Sequence, residues 1–353
     1  MRHIVYWSFL LTIAALLGGS AAYFAWPWAQ AASDAATMTH PLPTELPTYT
    51  PAPSRPRALT TAVPTATPTS VHLVSPSGRE NFLILASDND SKKPTSVAPD
   101  TQVIIFVSYD TVRQQIYIVS IPRDLYVQIP GYIYDKIDTA PEYGGSFKAV
   151  ISTVETDFGV SIDHYAWVGL DGFIKVIDTL GGVDIDVAHP MVESDFPDDL
   201  NPLTCKYCVR RFYIPSGPQH LDGTTALEYV RARHADLIGD FGRSQRQQQV
   251  LLQIKQKMQH MDFSIFPSLI EDMKGSVTTD LGLPEMLGLA KSVLGVSESS
   301  IHSYYLDIPD GYTSDENIPV GNGVEDALIP NWPKIDSLFQ CILSDSAYKG
   351  CPN

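Results

Sequence analysis

The chain opens on an almost unbroken apolar run from Ile4 to Trp26, preceded only by Arg2 and His3 and closed by Trp26, Pro27 and Trp28. Such a run spans a hydrocarbon core of about 30 Å, and Trp is favoured where that core meets water. Residues 1–31 therefore read as an N-terminal transmembrane anchor. The competing reading is a cleaved signal peptide with Ala29-Gln30-Ala31 as its cleavage site, but the run exceeds the roughly 7–15 residues of a signal h-region. Either way the rest of the chain is exported. From residue 32 to 77 the pattern disappears: prolines recur at 41, 43, 47, 51, 53, 56, 64, 68 and 76 among Thr, Ala and Ser. Prolines at that density block helix and sheet ladders and favour extended polyproline II, so 32–77 is expected to be a disordered, semi-rigid spacer.

Patterned sequence resumes near Arg79. Asn81–Ala86, Gln102–Val107 and Gln115–Ser120 are short runs rich in β-branched and aromatic residues, apolar enough to be central strands covered on both faces. Ser146–Phe158 and Asp171–Leu180 carry helical periodicity, and Tyr165–Leu170 and Val183–Val187 read as further strands. This order predicts an α/β fold, a three-layer α-β-α sandwich on a central mixed sheet, occupying 78–353. The remainder from about Thr224 should be helix-rich and cover the faces of the sheet, with Phe241–Gln259 and Leu283–Val296 as its clearest helical patterns.

Composition narrows the possibilities. In 353 residues, 24 Lys+Arg stand against 40 Asp+Glu, a net charge of −16 that excludes a nucleic-acid binder, because such affinity rests on basic surface. A hydrophobic fraction of 44% is enough for a true core. The four cysteines, Cys205, Cys208, Cys341 and Cys351, are expected to form disulfides in an exported chain, locally as 205–208 and 341–351. Cys205-Lys206-Tyr207-Cys208 also has redox or zinc spacing, but neither a thioredoxin-like setting nor a second ligand pair accompanies it.

Against that acidic background, Arg231, Arg233, Arg243 and Arg246 crowd one stretch where about one basic residue is expected by chance. Arg243, Arg246 and Gln247 fall at i, i+3 and i+4 at the start of the helix introduced by Gly239-Asp240-Phe241-Gly242. A helix N-terminus attracts anions, and guanidiniums in its first turns make a phosphate or pyrophosphate cradle. Arg231 and Arg233 would diverge on a helix but point together on an extended segment, so the preceding helix is expected to end near Val230. Pairing with Asp236 and Asp240 on a solvated helix face is the simpler alternative. Arg123-Asp124 follows the strand Ile116–Ser120, at the carboxyl end where open α/β sheets bind ligands. Asp88 after the first strand and Asp100 before the second are placed to share a divalent cation, Mg²⁺ or Mn²⁺, although such loops are often plain turns.

Asn81–Asp88, Pro99-Asp100-Thr101, Ser120–Asp124, Lys136–Ala140 with Tyr143-Gly144-Gly145, Gly181–Val187, Gln219–Gly223, Tyr229–Arg233 and Gly239–Gln247 follow one another in an order and spacing that resembles the LytR-CpsA-Psr family of cell-envelope proteins, over about residues 78–345. The resemblance implies a magnesium-dependent phosphotransferase that moves a glycopolymer from a polyprenyl-pyrophosphate carrier to a hydroxyl of a cell-wall glycan acceptor, leaving a phosphodiester. It places the catalytic domain on the extracellular face of the cell membrane behind a single-pass anchor. By the same resemblance Asp88 and Asp100 are the metal carboxylates, and Arg123, Arg231, Arg233, Arg243 and Gln247 bind pyrophosphate, with Lys136 and Arg246 as further members. Asp124 would orient Arg123 or help deprotonate the acceptor. Ala98 and Pro99 stand where the family commonly has an Arg two positions before Asp100, which removes one guanidinium from the phosphates. A phosphatase using water as acceptor and a non-catalytic envelope-binding module are the alternatives.

Overall fold

The computed structural model describes residues 78–87, 100–197, 209–233, 240–320, 323–344 and 351, all within one compact unit, Ala66–Asn353. The segments read as anchor and spacer, together with Asp88, Cys205 and Cys208, lie outside the described residues. Among the described residues no helix is long and apolar enough to cross a membrane.

In chain order the elements are β1 (Arg79–Ser87), β2 (Thr101–Asp110), β3 (Gln115–Ile121), β4 (Tyr126–Gln128), β5 (Tyr134–Lys136), α1 (Ala140–Gly144), α2 (Lys148–Phe158), β6 (His164–Val168), α3 (Leu170–Thr179), β7 (Val183–Val187), β8 (Met191–Pro197), β9 (Val209–Ile214), β10 (Gly217–Leu221), α4 (Gly223–Arg231), α5 (Asp240–Gln259), α6 (Phe266–Asp272), β11 (Val277–Thr279), α7 (Leu283–Leu294), β12 (Ile301–Tyr305), β13 (Thr313–Val320), β14 (Gly323–Pro330) and α8 (Trp332–Ile342). A six-stranded sheet runs β11-β6-β1-β2-β3-β12. It is mixed: β1 pairs antiparallel to β2 and parallel to β6, and β3 is antiparallel to β2 and parallel to β12.

Side chains alternate across a strand, so each strand of this sheet feeds two cores. Leu83, Leu85, Ile104, Phe106, Tyr117 and Val119 pack against Val150, Val154 and Phe158 of α2 and Leu338 and Phe339 of α8. Their neighbours Ile105, Ile116 and Ile118 face the other way, onto Leu251 and Leu252 of α5 and Leu289 and Val293 of α7. Helices thus cover both faces, as the continuous apolar runs require. The helix-rich C-terminal part also supplies two strands that the sequence pattern does not pick out: Val277–Thr279 and Ile301–Tyr305 form the two edges of the central sheet. Strands of three and five residues carry too few positions for a period to register.

A third core builds an outer lobe. Leu170, Ile177, Val183, Ile185, Phe196, Phe212 and Leu227 join α3, α4 and the hairpins β7-β10 and β8-β9 to Val250 and Ile254 of α5. Two of the sequence motifs serve this lobe rather than chemistry. Asp222 caps α4 by accepting from the Thr225 amide at 2.8 Å, and the Gly223 amide donates to Asp178 Oδ1 at 2.7 Å. Gly182 has φ +82°, and a Cβ there would meet Leu221 O at 2.8 Å.

Helix α5 is shared by both cores. It is polar in sequence yet Arg243, Arg246, Gln248 and Lys255 are all buried. Buried polar groups need partners. Gln248 Nε2 donates to Ser120 Oγ at 2.8 Å and Tyr304 O at 3.1 Å, and Lys255 Nζ donates to Val296 O at 2.7 Å. Cys341 and Cys351 are joined by a disulfide with Cα atoms 5.6 Å apart, one of the two pairings expected.

Candidate active site

Two element ends converge on one cleft. The β2–β3 register sets Ile104 opposite Ile121, which brings Gln102 near the start of β2 alongside Arg123 just past the end of β3. The first turns of α5 close the other side. Gln102, Val103, Ile104, Ile121, Pro122, Arg123 and Asp124 line the cleft from the sheet; Arg243, Ser244 and Gln247 line it from the helix, with Leu328 of β14 beside them. Arg123 and Arg243, far apart in the chain, therefore share a site at the carboxyl end of a central strand, as the strand-end argument expects.

Arg123 is held from several directions. Its Nη1 donates to Gln102 Oε1 at 2.6 Å, its Nε lies 3.3 Å from Asp124 Oδ2, and Asp138 Oδ2 is 3.9 Å from Nη1. Lys136 reaches Asp124 Oδ1 at 3.6 Å and Glu325 at 3.5 Å, so Lys136 sits on the Asp124 side of the cleft. A charged hydrogen bond of this kind fixes a guanidinium plane before any anion arrives.

The carboxylates on this side perturb one another. Burial pushes the Asp138 carboxyl up to about 7, with the negative charges of Asp124 and Asp100 adding to the rise and Arg123 and Lys136 opposing it. Burial likewise raises Glu142, helped by the charge of Asp100 and by a hydrogen bond between the two side chains. Two carboxyl groups in hydrogen-bond contact need a proton or a cation between them, and hard oxygen donors suit Mg²⁺ or Mn²⁺. Among the described residues there is no group of three His, Cys, Asp or Glu at ligating distances. The other expected metal carboxylate, Asp88, lies outside the described residues.

Three further expected residues, Arg231, Arg233 and Arg246, do not line this cleft. Arg246 is 5% exposed; its Nε donates to Tyr229 O at 2.7 Å and an Nη to Ala232 O. This corrects its reading as a phosphate ligand: it satisfies carbonyls at the C-terminus of α4, where a helix leaves acceptors without intrahelical donors. Helix α4 ends at Arg231, within one residue of the expected end near Val230, and the Arg231 guanidinium lies over the Phe196 ring at 5.5 Å. The Arg233 amide donates to Glu193 Oε2 at 2.9 Å. Neither Arg231 nor Arg233 lines the cleft, yet both ride on a segment that Arg246 and Gln247 clasp through Tyr229, Val230 and Ala232. Gln102, Ser244, Asp138 and Glu142 were not singled out by sequence. Gln102 and Ser244 flank Arg123 and Arg243 across element ends, whereas the only trace of Asp138 is its place in the Lys136–Ala140 motif.

A cleft lined by two guanidiniums at a strand end, with carboxylates beside it, has the donor chemistry that phosphorylated anions require, on an α/β domain. The chain belongs to the LytR_cpsA_psr family, whose model matches residues 52–326, beginning inside the Pro-rich segment. It is 32% identical over 218 residues to Polyisoprenyl-teichoic acid–peptidoglycan teichoic acid transferase TagV of Bacillus subtilis, covering 61% of this chain and 53% of that protein. The TagU transferase of Halalkalibacterium halodurans is 32% identical over 63% of this chain and 68% of its own length. Regulatory protein MsrR of Staphylococcus aureus is 31% identical over 68% of both chains. The matched region thus spans about half the length of TagV. The crystal structure of B. subtilis TagV superposes with a TM-score of 0.61 at 26% identity, covering 75% of this chain and 97% of that one. TagT bound to LIIa-WTA superposes at 0.56 with 25% identity, covering 76% and 91%.

Proposed function

We propose that this chain transfers a glycopolymer from a polyprenyl-pyrophosphate carrier to a peptidoglycan-type hydroxyl. The observation that carries the reading is the convergence of Arg123 and Arg243 with Asp124 in one cleft. Relatives named as teichoic acid transferases of peptidoglycan support it. The acceptor oxygen attacks the phosphorus that bears the sugar, an O–P bond forms, and the bond from that phosphorus to the bridging oxygen breaks. The product is a phosphodiester, and polyprenyl phosphate leaves with the bridging electrons. Such a step needs positioning and charge stabilisation rather than a covalent nucleophile.

Arg123 and Arg243 grip the phosphates from opposite walls, and Gln247 adds a neutral donor. Gln102 fixes the Arg123 plane. Asp124, held by Arg123 and Lys136, is the carboxylate placed to receive the acceptor proton. Arg231 and Arg233 reach the sugar-proximal phosphate from the clasped segment, and Arg246 positions that segment. Asp100 with Asp88 would hold Mg²⁺ or Mn²⁺, which would neutralise charge on the phosphate oxygens. Val103 and Leu328, both half-buried, give the cleft apolar positions for the first isoprene unit. Residues 1–31 would anchor the chain in the cell membrane, with the spacer 32–77 holding the catalytic domain on the extracellular face, and Cys205 would pair with Cys208.

The test uses the full chain in vesicles with a ³²P-labelled polyprenyl-pyrophosphate glycan, Mg²⁺ and purified wall fragments. Label should appear on the wall as a phosphodiester, and Arg123→Ala should lower kcat/KM about 10²- to 10³-fold, the size of losing one preorganised donor. Release of sugar phosphate and lipid phosphate, with none on the wall, would replace the transferase reading with a phosphatase.

A further inference from the structure

Hairpin β4-β5 leaves the cleft directly: it begins two residues after Asp124, and its last residue is Lys136. Its tip exposes three successive large apolar side chains, Tyr132 at 52%, Ile133 at 53% and Tyr134 at 43%. Side chains of this size are normally withdrawn from water, and a contiguous exposed group marks a contact surface. The tip is also rigid. The Tyr132 amide donates to Ile129 O and the Ile129 amide to Ile133 O, each at 2.9 Å, around Gly131 at φ +81°. The rings brace one another, Tyr134 against Tyr126 at 5.8 Å and Tyr132 against Tyr143 at 5.6 Å between centroids. Tyr143 Oη donates to Asp135 Oδ2 at 2.7 Å. Aromatic side chains held in place before binding lose little conformational entropy when a ligand arrives.

Resting on the transferase reading above, we propose that this tyrosine tip is the platform on which the acceptor glycan strand lies before its hydroxyl enters the cleft. A pyranose ring presents a face of C–H bonds that packs on an aromatic ring, and a rim of hydroxyls that donate to carboxylates. Both partners are present here: exposed rings, with Asp135 and Glu142 beside them. The charge selects between occupants. A membrane surface would also accept Tyr and Ile, but anionic headgroups are attracted by Lys and Arg and are repelled by an edge of Asp135, Glu142 and Glu325. Sugar hydroxyls find acceptors in the same edge. The continuity of the hairpin with Asp124 and Lys136 points to the acceptor side of the cleft, since Asp124 is the carboxylate assigned to the acceptor proton.

The experiment measures co-sedimentation of the full chain in detergent with peptide-free peptidoglycan glycan strands, without donor, and separately the nitration of Tyr132 and Tyr134 in the full chain reconstituted in vesicles of anionic phospholipid. Tyr132→Ala/Tyr134→Ala should weaken strand binding about tenfold, the loss of two ring contacts. Tyr132→Trp/Tyr134→Trp should restore it, and in the transfer assay the Ala pair should raise the acceptor KM without moving the KM for the donor. Strand binding is read without donor, so the platform is scored even if no transfer is seen. Equal strand affinity in wild type and the Ala pair overturns the proposal while leaving the transferase reading intact. Protection of Tyr132 and Tyr134 from nitration by the anionic vesicles, with strand binding unchanged in the Ala pair, overturns it in favour of a membrane contact.

Discussion

Asp138 offers the sharpest test of the electrostatics around Arg123. Its carboxyl is raised from 3.8 to about 7, chiefly by burial and then by Asp124. A shift of about three units is worth about 4 kcal/mol at 1.36 kcal/mol per unit. The sign follows from linkage: the folded chain binds this proton more tightly than the unfolded chain, so the group costs nothing below pH 3.8. Between 3.8 and 7 the unfolded carboxyl ionises first and stability falls; above 7 the full cost is present. Asp138→Asn removes the charge and keeps the shape. Relative to wild type, the variant should be near neutral at pH 4 and more stable by up to about 4 kcal/mol at pH 8. For a domain of this size that corresponds to a rise in Tm of roughly 8–15 °C. Thermal unfolding followed by fluorescence at pH 4, 6 and 8, in a chelating buffer, reads the difference directly. Equal Tm shifts at pH 4 and pH 8, or a loss at pH 8, would refute the reasoning. Stability gained here should be activity lost, because the ionised carboxylate steadies Arg123 from 3.9 Å; kcat/KM should fall about tenfold.

Gln102→Leu deletes the 2.6 Å hydrogen bond to Arg123 with little change in volume, so kcat/KM should fall about 10- to 100-fold while Tm holds; unchanged turnover would show that Arg123 needs no such support. Cys341→Ser should destabilise by about 2–3 kcal/mol, the entropy of closing a ten-residue loop, and dithiothreitol should lower the wild-type Tm at least as far as the substitution does; a Tm indifferent to reductant refutes this.

The central strands β1, β2 and β3 and the helices Lys148–Phe158 and Asp240–Gln259 were legible because long apolar runs and sustained periodicity survive without context. Hairpin β8-β9 was not: Met191–Pro197 alternates only partly, and its register shifts between Glu193 and Phe196. In the site, Arg123 and Arg243 were legible from their positions at a strand end and a helix start, which are local properties. Arg246 was misread because spacing on one helix assumes a single face turned to the ligand. Helix α5 is packed on several sides, so a residue three positions from Arg243 meets main-chain carbonyls instead. Asp138 was invisible for another reason: the shift of an acid depends on burial, and burial belongs to the fold.

Helix α5 has one further consequence. Over six consecutive positions it meets a different neighbour at almost every step: Arg243 and Ser244 the cleft, Gln245 solvent, Arg246 the end of α4, Gln247 the cleft again, and Gln248 the strand β3 and β12 junction. The outer lobe and the catalytic sheet are thus bolted to the same rod. A displacement of the lobe relative to the sheet would carry Arg243 and Gln247 with it, so the outer lobe and the cleft wall form one mechanical unit.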